Sequence, residues 1–145
     1  MGSLGPDRRL KFLSAAEWVQ HLPREYQYVC LQNQVRDTDR AALAASPFIV
    51  AFDDHVLDFA HTAALCECLD FVISVDTSIA HLSAALGRRT WVLLPVNPDW
   101  RWLHDREDSP WYPTMKLYRQ TTVDDWSGVL ARVAADLRRE LHHGQ

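Results

Sequence analysis

The sequence predicts an α/β domain in which helices cover both faces of a mostly parallel sheet, giving three layers. Apolar, β-branched runs alternate with segments of helical periodicity along the chain. The runs 71–75 and 90–95 are apolar throughout, as is typical of parallel strands buried between helix layers. The 145 residues suit one domain, which we expect at 10–145. We interpret the polar lead at 1–9 as disordered or as a remnant of cloning.

Local signals place the individual elements. Ser14 and Glu17 have capping-box spacing at the first helix, and Pro47 ends the Ala-rich second helix. Gly87 stands just after the last residue of a helix, where glycine is favoured. The predicted order is helix 14–22, strand 26–32, helix 36–46, strand 48–52, helix 57–69, strand 71–75, helix 77–86, strand 90–95, a loop at 96–114, strand 115–119 and helix 124–141.

Charge and composition bear on the class of function. The formal net charge is −4 and the pI about 5.9, so no basic surface for nucleic acid is evident. No apolar stretch reaches the roughly 18 residues of a membrane span, and no secretory apolar region follows Met1. Three cysteines without a disulfide pattern favour reduced thiols, so we predict a cytoplasmic protein.

The stretch Asp76-Thr77-Ser78 follows the apolar strand 71–75 and opens the next helix. Ligands of open α/β sheets bind beyond the carboxyl ends of the strands, where these residues lie. Asp76 or Thr77 can cap the helix by accepting a hydrogen bond from a backbone amide, which needs no ligand. The remaining amides, the helix dipole and the hydroxyls of Thr77 and Ser78 can equally bind a phosphate. His81, one turn into the helix, can reach an oxygen of the same phosphate.

The sequence gives little support for a metal-binding site or for a catalytic nucleophile. Cys66 and Cys68 are two residues apart on a helix and point to different faces, so they cannot chelate one metal ion together. The nearby His61 and the Asp-Asp-His run at 53–55 do not complete a recognised ligand spacing. No Gly-rich phosphate loop and no G-x-S-x-G elbow occurs. His81 as a general base remains an alternative, without an orienting partner nearby in sequence.

The loop at 97–114 is rich in Trp, Asp and Pro, and loops of this length are often functional. We expect Trp100 and Trp102 to pack as a small satellite core rather than to stack on a ligand. Arg101 and Arg106 can contact a phosphate, but in so acidic a loop we expect internal ion pairs.

The segments DFVISVDTSIAHLSAALGRRTWVLLP and PDWRWLHDREDSPWYPTMKLYRQ closely resemble the C-terminal domain of the heptosyltransferase-like family 9 glycosyltransferases. The resemblance is greatest to the bacterial versions fused behind tetratricopeptide repeats, and it runs from about Leu10 to the end of the terminal helix. It implies a GT-B architecture, in which two Rossmann-like domains enclose the active site. The C-terminal domain, a three-layer sandwich, then holds a nucleotide-diphospho-sugar, and sugar transfer needs no metal.

The resemblance also implies roles for individual residues. Asp76, Thr77 and Ser78 would face the diphosphate or the donor sugar, and His81 would stabilise the same leaving group. Further ligand contacts are implied for Gln32, Asp58, Thr62, Ser109, Trp111 and Tyr112. The expected donor is UDP- or ADP-linked, with no further cofactor.

Departures from the family pattern limit the expected activity. Many relatives have glycine at the position of Ser78, and the repeat-linked ones often have aspartate at that of His61. The usual first strand of the GT-B C-terminal domain, of the type GLVWSG in mid-sheet, is lacking, so its neighbours must pair directly or recruit a second chain. The N-terminal domain, which binds the acceptor and usually supplies the catalytic base, is not in this sequence.

We therefore predict the donor-binding half of a metal-independent GT-B glycosyltransferase, inactive alone. Its partners would be a nucleotide sugar and either the missing acceptor domain or a second chain, including a second copy in a homodimer. The alternative is a non-catalytic binding or assembly module that retains the fold.

Overall fold

The fold belongs to the predicted α/β class, and every predicted helix and strand is present. A computed structural model describes residues 13–32, 34–52 and 58–143, so the lead at 1–9 and the run at 53–55 lie outside the described residues. The elements are α1 (Ala15–His21), β1 (Tyr28–Cys30), α2 (Asp37–Ala44), β2 (Ile49–Ala51), α3 (Phe59–Cys68), β3 (Phe71–Val75), α4 (Ser78–Ala85), β4 (Arg89–Leu94), a 3₁₀ turn (Trp100–Trp102), β5 (Met115–Arg119) and α5 (Trp126–His143).

All strand pairs in the described residues are parallel, but the strands form two sheets instead of one. β1 pairs with β2, and β4 pairs with both β3 and β5. The neighbours of the missing strand were expected to pair directly or to recruit a second chain. Direct pairing is wrong for the described residues, because β1 and β3 belong to separate sheets. One long edge of β3 therefore has no strand partner within this part of the chain.

Alternate residues of β4 face two different helix layers, which creates the three-layer arrangement. Trp91 and Leu93 pack into a core with α5, whose contributing residues include Val129 and Leu137. Val92 and Leu94, on the opposite face, pack with Ala80 and Ala84 of α4 and with Trp102. Because successive side chains of a strand point to opposite faces, one continuous apolar run supplies both cores.

The helix ends follow the local signals of the sequence. Ser14 accepts from the amide of Glu17, and the Glu17 carboxylate accepts from the amide of Ser14, so the capping box is confirmed. At the end of α4 the amide of Gly87 donates to Ala84 and that of Arg88 to Ser83, which is a Schellman motif. Gly87 has φ +75°, a conformation that favours glycine.

Among the described residues, none forms a helix with both the length and the apolar character that crossing a membrane requires.

Candidate functional site

The carboxyl end of β3 leads directly into the amino end of α4, as the sequence predicts. Thr77 is the N-cap of α4, in extended conformation, but its side chain makes no capping hydrogen bond. Its hydroxyl lies 3.0 Å from Oγ of Ser74, which itself donates to the carbonyl of Val75 at 2.8 Å. Because serine has one hydroxyl proton, Thr77 is the donor in the pair. The predicted side-chain cap is therefore wrong for Thr77, since its hydroxyl turns back to β3.

The first turn of α4 contains backbone amides that no residue of the helix can accept from. The amides of Ala80 and His81 donate to the carbonyl of Thr77. Those of Ser78 and Ile79 have no intrahelical acceptor, because helix geometry leaves the first amides unpaired. Thr77 and Ser78 are exposed, so this end of the helix opens to solvent. With the helix dipole, it offers partial positive charge to an anion.

The His81 imidazole is held by three side chains from three segments of the chain. Its Nε2 lies 3.4 Å from Oδ1 of Asp76, an ion-pair distance without the alignment of a hydrogen bond. Its Nδ1 lies 3.3 Å from the hydroxyl of Tyr112. The ring stacks on Trp102, with centroids 5.3 Å apart and an interplanar angle of 26°. Tyr112 also contacts the imidazole with its ring, at 5.8 Å and 59°.

These contacts change the interpretation of His81. No orienting partner was expected for it nearby in sequence, yet Asp76 lies at ion-pair distance from Nε2 and the Tyr112 hydroxyl at hydrogen-bond distance from Nδ1. Asp76 stands five residues before His81 and was already a candidate, so that spacing across the helix start was the available signal. Tyr112 lies 31 residues away, and no local pattern links it to His81. In the observed conformation Nε2 is buried, so the ring does not offer this nitrogen to a ligand.

The residues implied for the nucleoside are placed at the start of α3 and after β1. Asp58 is the N-cap of α3, and its carboxylate accepts from the amide of His61 at 3.0 Å. The His61 ring also turns back to it, with Nδ1 at 2.8 Å. These two hydrogen bonds lower the pKa of Asp58. Thr62 is buried and donates to the Asp58 carbonyl, whereas Gln32 is exposed beyond the end of β1, in the other sheet.

In the loop after β4, the division between buried and exposed aromatic side chains differs from the expectation. Trp102 is fully buried, as predicted, but Trp100 has 77% of its surface exposed, so the packing predicted for it is wrong. Trp111 is exposed and donates from Nε1 to the carbonyl of Arg101. Ser109 is buried, and its hydroxyl accepts from the amide of Trp111, so it shapes the turn from inside.

The expected ion pairs within this loop are confirmed. Arg101 pairs with Asp99 at 2.9 Å, and Arg106 pairs with Asp108 at 2.7 Å. Both arginines thus have carboxylate partners two residues away in the chain.

The cysteines on α3 lie on different faces, as predicted. Cys66 is buried and Cys68 is exposed. In the described part of the chain, no three histidine, cysteine or carboxylate side chains come together in a group that could hold a metal ion.

The fold is an α/β domain in which α4 begins at the carboxyl end of the parallel strand β3, the edge at which open α/β sheets bind ligands. Residues 56–94 match the model of glycosyltransferase family 9 (heptosyltransferase), a stretch that contains β3, α4 and β4. The resemblance is thereby confirmed over that stretch. Members of this family use nucleotide-sugar donors.

One similar protein is Protein FlbA of Caulobacter vibrioides (strain ATCC 19089 / CIP 103742 / CB 15). It is 31% identical to this chain over 81 residues, which are 56% of this chain and 13% of FlbA. The chain thus spans a small part of the relative's length. No solved structure matches the chain significantly.

Proposed function

We propose that this chain is the donor-binding half of a metal-independent GT-B glycosyltransferase, and that the amino end of α4 binds the diphosphate of a nucleotide sugar. The observation that carries the proposal is the start of α4 at the carboxyl end of β3, where the N-cap Thr77 makes no side-chain capping hydrogen bond, inside the segment that matches family 9. A helix start whose N-cap side chain is engaged elsewhere retains donors for an external anion.

The chemistry of sugar transfer fits such a site. The glycosidic bond to the diphosphate breaks as negative charge builds on the leaving oxygens, and fixed donors stabilise that charge without reorganisation. The amides of Ser78 and Ile79 are fixed by the helix and need no metal ion to act. The sugar acceptor and the catalytic base would come from the N-terminal domain that the resemblance implies, so we expect no turnover by this chain alone.

A proline substitution at Ser78 tests directly whether the backbone N–H of this residue donates to the ligand. Ser78 is the first residue of α4, where proline is well tolerated, and Thr77 before it is already extended, with φ −139° and ψ 171°. Ser78→Pro removes one N–H from the site and keeps the helix start. Ser78→Ala, the matched control, removes the hydroxyl and keeps the N–H.

Calorimetric titration with UDP, ADP and GDP then measures the affinity of the wild type and of each variant for the three diphosphates. We expect one diphosphate to bind, and Ser78→Pro to weaken it about tenfold more than Ser78→Ala, or about 1.4 kcal/mol. Equal affinities for the two variants would contradict the role of the amide. Binding of none of the three by the wild-type chain would reject the donor site.

A second candidate function is a non-catalytic binding or assembly module. It is favoured by the edge of β3, which has no strand partner in the described residues, and by the exposed indoles of Trp100 and Trp111. A strand edge without a strand partner is a surface on which another chain can add a strand. A stable homodimer that binds no nucleotide would support this function over the first.

A further inference from the structure

Arg119, the last residue of β5, holds the loop after β4 against the carboxyl edge of the sheet. Its Nε donates to the carbonyl of Arg106 at 3.0 Å, and its Nη2 donates to the carbonyl of Trp102 at 2.5 Å. The two carbonyls are four residues apart in the chain, so one guanidinium closes the turn between them. Because arginine presents its donors in a rigid plane, it fixes both carbonyls in one arrangement.

Both hydrogen bonds have a charged donor in a partly buried position. Burial lowers the pKa of the Arg119 guanidinium, and the charge of Asp105 acts in the opposite direction. An arginine nevertheless remains protonated in proteins, so both bonds are charge-assisted. Bonds of this kind are about twice as strong as those between neutral groups. The loop is therefore firmly held at this point.

The position of Arg119 is itself fixed from two sides. Arg132 of α5 donates to the backbone carbonyl of Arg119. The amide of the next residue, Gln120, donates to the carbonyl of Leu94 at the end of β4, at 2.9 Å. The guanidinium thus extends from a backbone position that both α5 and the central strand hold in place.

Trp102 connects this clamp to the helix that carries the candidate site. Its indole is fully buried and packs with Ala80 and Ala84 of α4. It also stacks on the ring of His81, with centroids 5.3 Å apart. Ala80 lies in the first turn of α4, so the place of the indole bears directly on the place of the helix start. The carbonyl of the same residue is the one that β5 holds through Arg119.

We propose that Arg119 is a positioning residue of the candidate site, which acts through Trp102 and does not itself contact the ligand. By holding the Trp102 carbonyl, it keeps the indole against the first turn of α4. The direction of the amides of Ser78 and Ile79 is thereby fixed. The proposal deepens the proposed function and rests on the donor site at α4. A clamp that served stability alone would leave both the ligand affinity and the surroundings of His81 unchanged.

The first test measures affinity. The purified full chain is titrated calorimetrically with the diphosphate that binds best among UDP, ADP and GDP. The variants are Arg119→Gln and Arg119→Lys, and the matched control is Arg89→Gln. Arg89 is the first residue of β4, at the opposite end of the sheet, where it donates to Glu140 at 2.7 Å. The control therefore removes the same charge and a charge-assisted hydrogen bond away from the site.

We expect Arg119→Gln to weaken binding about tenfold, the equivalent of one hydrogen bond to the anion. Arg119→Lys keeps the charge but not the planar fork, so it should still bind about fivefold more weakly than the wild type. Arg89→Gln should change the affinity less than about twofold, because solvent screens distant charges.

The possible contrary results have different meanings. Unchanged affinity in Arg119→Gln would overturn the proposal while the donor site stands. Weak binding by Arg119→Gln together with wild-type affinity in Arg119→Lys would show that Arg119 acts by its charge, which would also overturn the positioning role. Absence of any binding by the wild type would reject the donor site and the proposal together.

A ligand-free measurement reports the position of Trp102 itself. In proton NMR at about pH 9, above the ordinary imidazole pKa of about 6.5, the stacked indole shifts the ring resonances of His81 without a contribution from protonation. These resonances are identified by their loss in His81→Gln. Both Arg119 variants should move them towards the values of an unstacked histidine, and Arg89→Gln should not. Should Arg119→Gln fail to fold, Arg119→Lys carries the same test. Resonances that stay in place in the folded variants would overturn the proposal.

Discussion

The hydroxyls of Ser83 on α4 and Thr90 on β4 lie 2.9 Å apart and are completely buried. Thr90 also donates to the carbonyl of Arg88 at 2.9 Å, so its proton is used and Ser83 is the donor to Thr90. This pair joins α4 to the central strand, two residues beyond His81 on the helix. It holds the helix that carries the candidate site against the sheet.

The two hydroxyls should differ in their contributions to stability. Thr90→Val removes the acceptor of the Ser83 hydroxyl and the hydroxyl that donates to the Arg88 carbonyl, whereas Ser83→Ala leaves the Thr90 hydroxyl donating to Arg88. We expect Thr90→Val to lower the free energy of unfolding by about 2 kcal/mol and Ser83→Ala by about 1 kcal/mol. Urea unfolding followed by tryptophan fluorescence measures both. The opposite order would show that Ser83 accepts rather than donates.

The backbone at Gly87 should tolerate no ordinary side chain without cost. A Cβ placed there meets nothing within 4 Å, so the cost of Gly87→Ala arises from φ +75° alone. We expect a loss of about 1 kcal/mol in the free energy of unfolding. Gly87→Asn is the matched control, since asparagine adopts this conformation more readily, and it should cost about half as much. Equal stability of the alanine variant and the wild type would contradict the Schellman end of α4.

The two thiols of α3 should react at very different rates. Cys68 is exposed, whereas Cys66 is buried, and burial raises the pKa of the Cys66 thiol, so less of it is the reactive thiolate at pH 8. We expect a disulfide reagent to modify Cys68 about a hundredfold faster than Cys66. Cys68→Ser and Cys66→Ser assign the phases. A fast phase of thiol modification that persists in a double variant with Cys68→Ser and Cys30→Ser would show that Cys66 is accessible.

Alkaline pH should destabilise the fold through Tyr118. Burial raises the pKa of this phenol, so the unfolded chain, with an ordinary pKa near 10, loses the proton first. The stabilisation is complete below about pH 10 and is lost as the pH rises above it.

The variant Tyr118→Phe should separate the contribution of the Tyr118 hydrogen bond to stability from that of its raised pKa. In Tyr118→Phe we expect the unfolding free energy to fall by about 1 kcal/mol at pH 7, because the hydrogen bond to Asp136 is lost, while Lys116 still pairs with that carboxylate. Between pH 10 and about pH 11.5 the variant should lose stability less steeply than the wild type. Unfolding free energies of the variant and the wild type that fall in parallel over this pH range would contradict a raised pKa for Tyr118.

Much of the architecture follows from patterns that are local in the chain. The capping box at Ser14, the end of α4 at Gly87 and the continuous apolar run of β4 each specify an element through contacts within a few residues. The opposite faces of α3 were also predictable, because Cys66 and Cys68 are two residues apart on a helix.

Other features depend on where distant segments meet. Trp100 and Trp102 have similar local sequence, yet the indole of Trp102 is buried and that of Trp100 is exposed. Composition cannot distinguish two such positions.

By itself the sequence determined the α/β class, the order of the elements and the place of Asp76, Ser78 and His81 at the carboxyl end of β3, because periodicity and capping act over short distances. Only the tertiary structure decided that β1 and β3 stay apart and that Tyr112 meets His81. Those outcomes arise from packing between segments far apart in the chain. The hydrogen-bonding state of the imidazole follows from that packing.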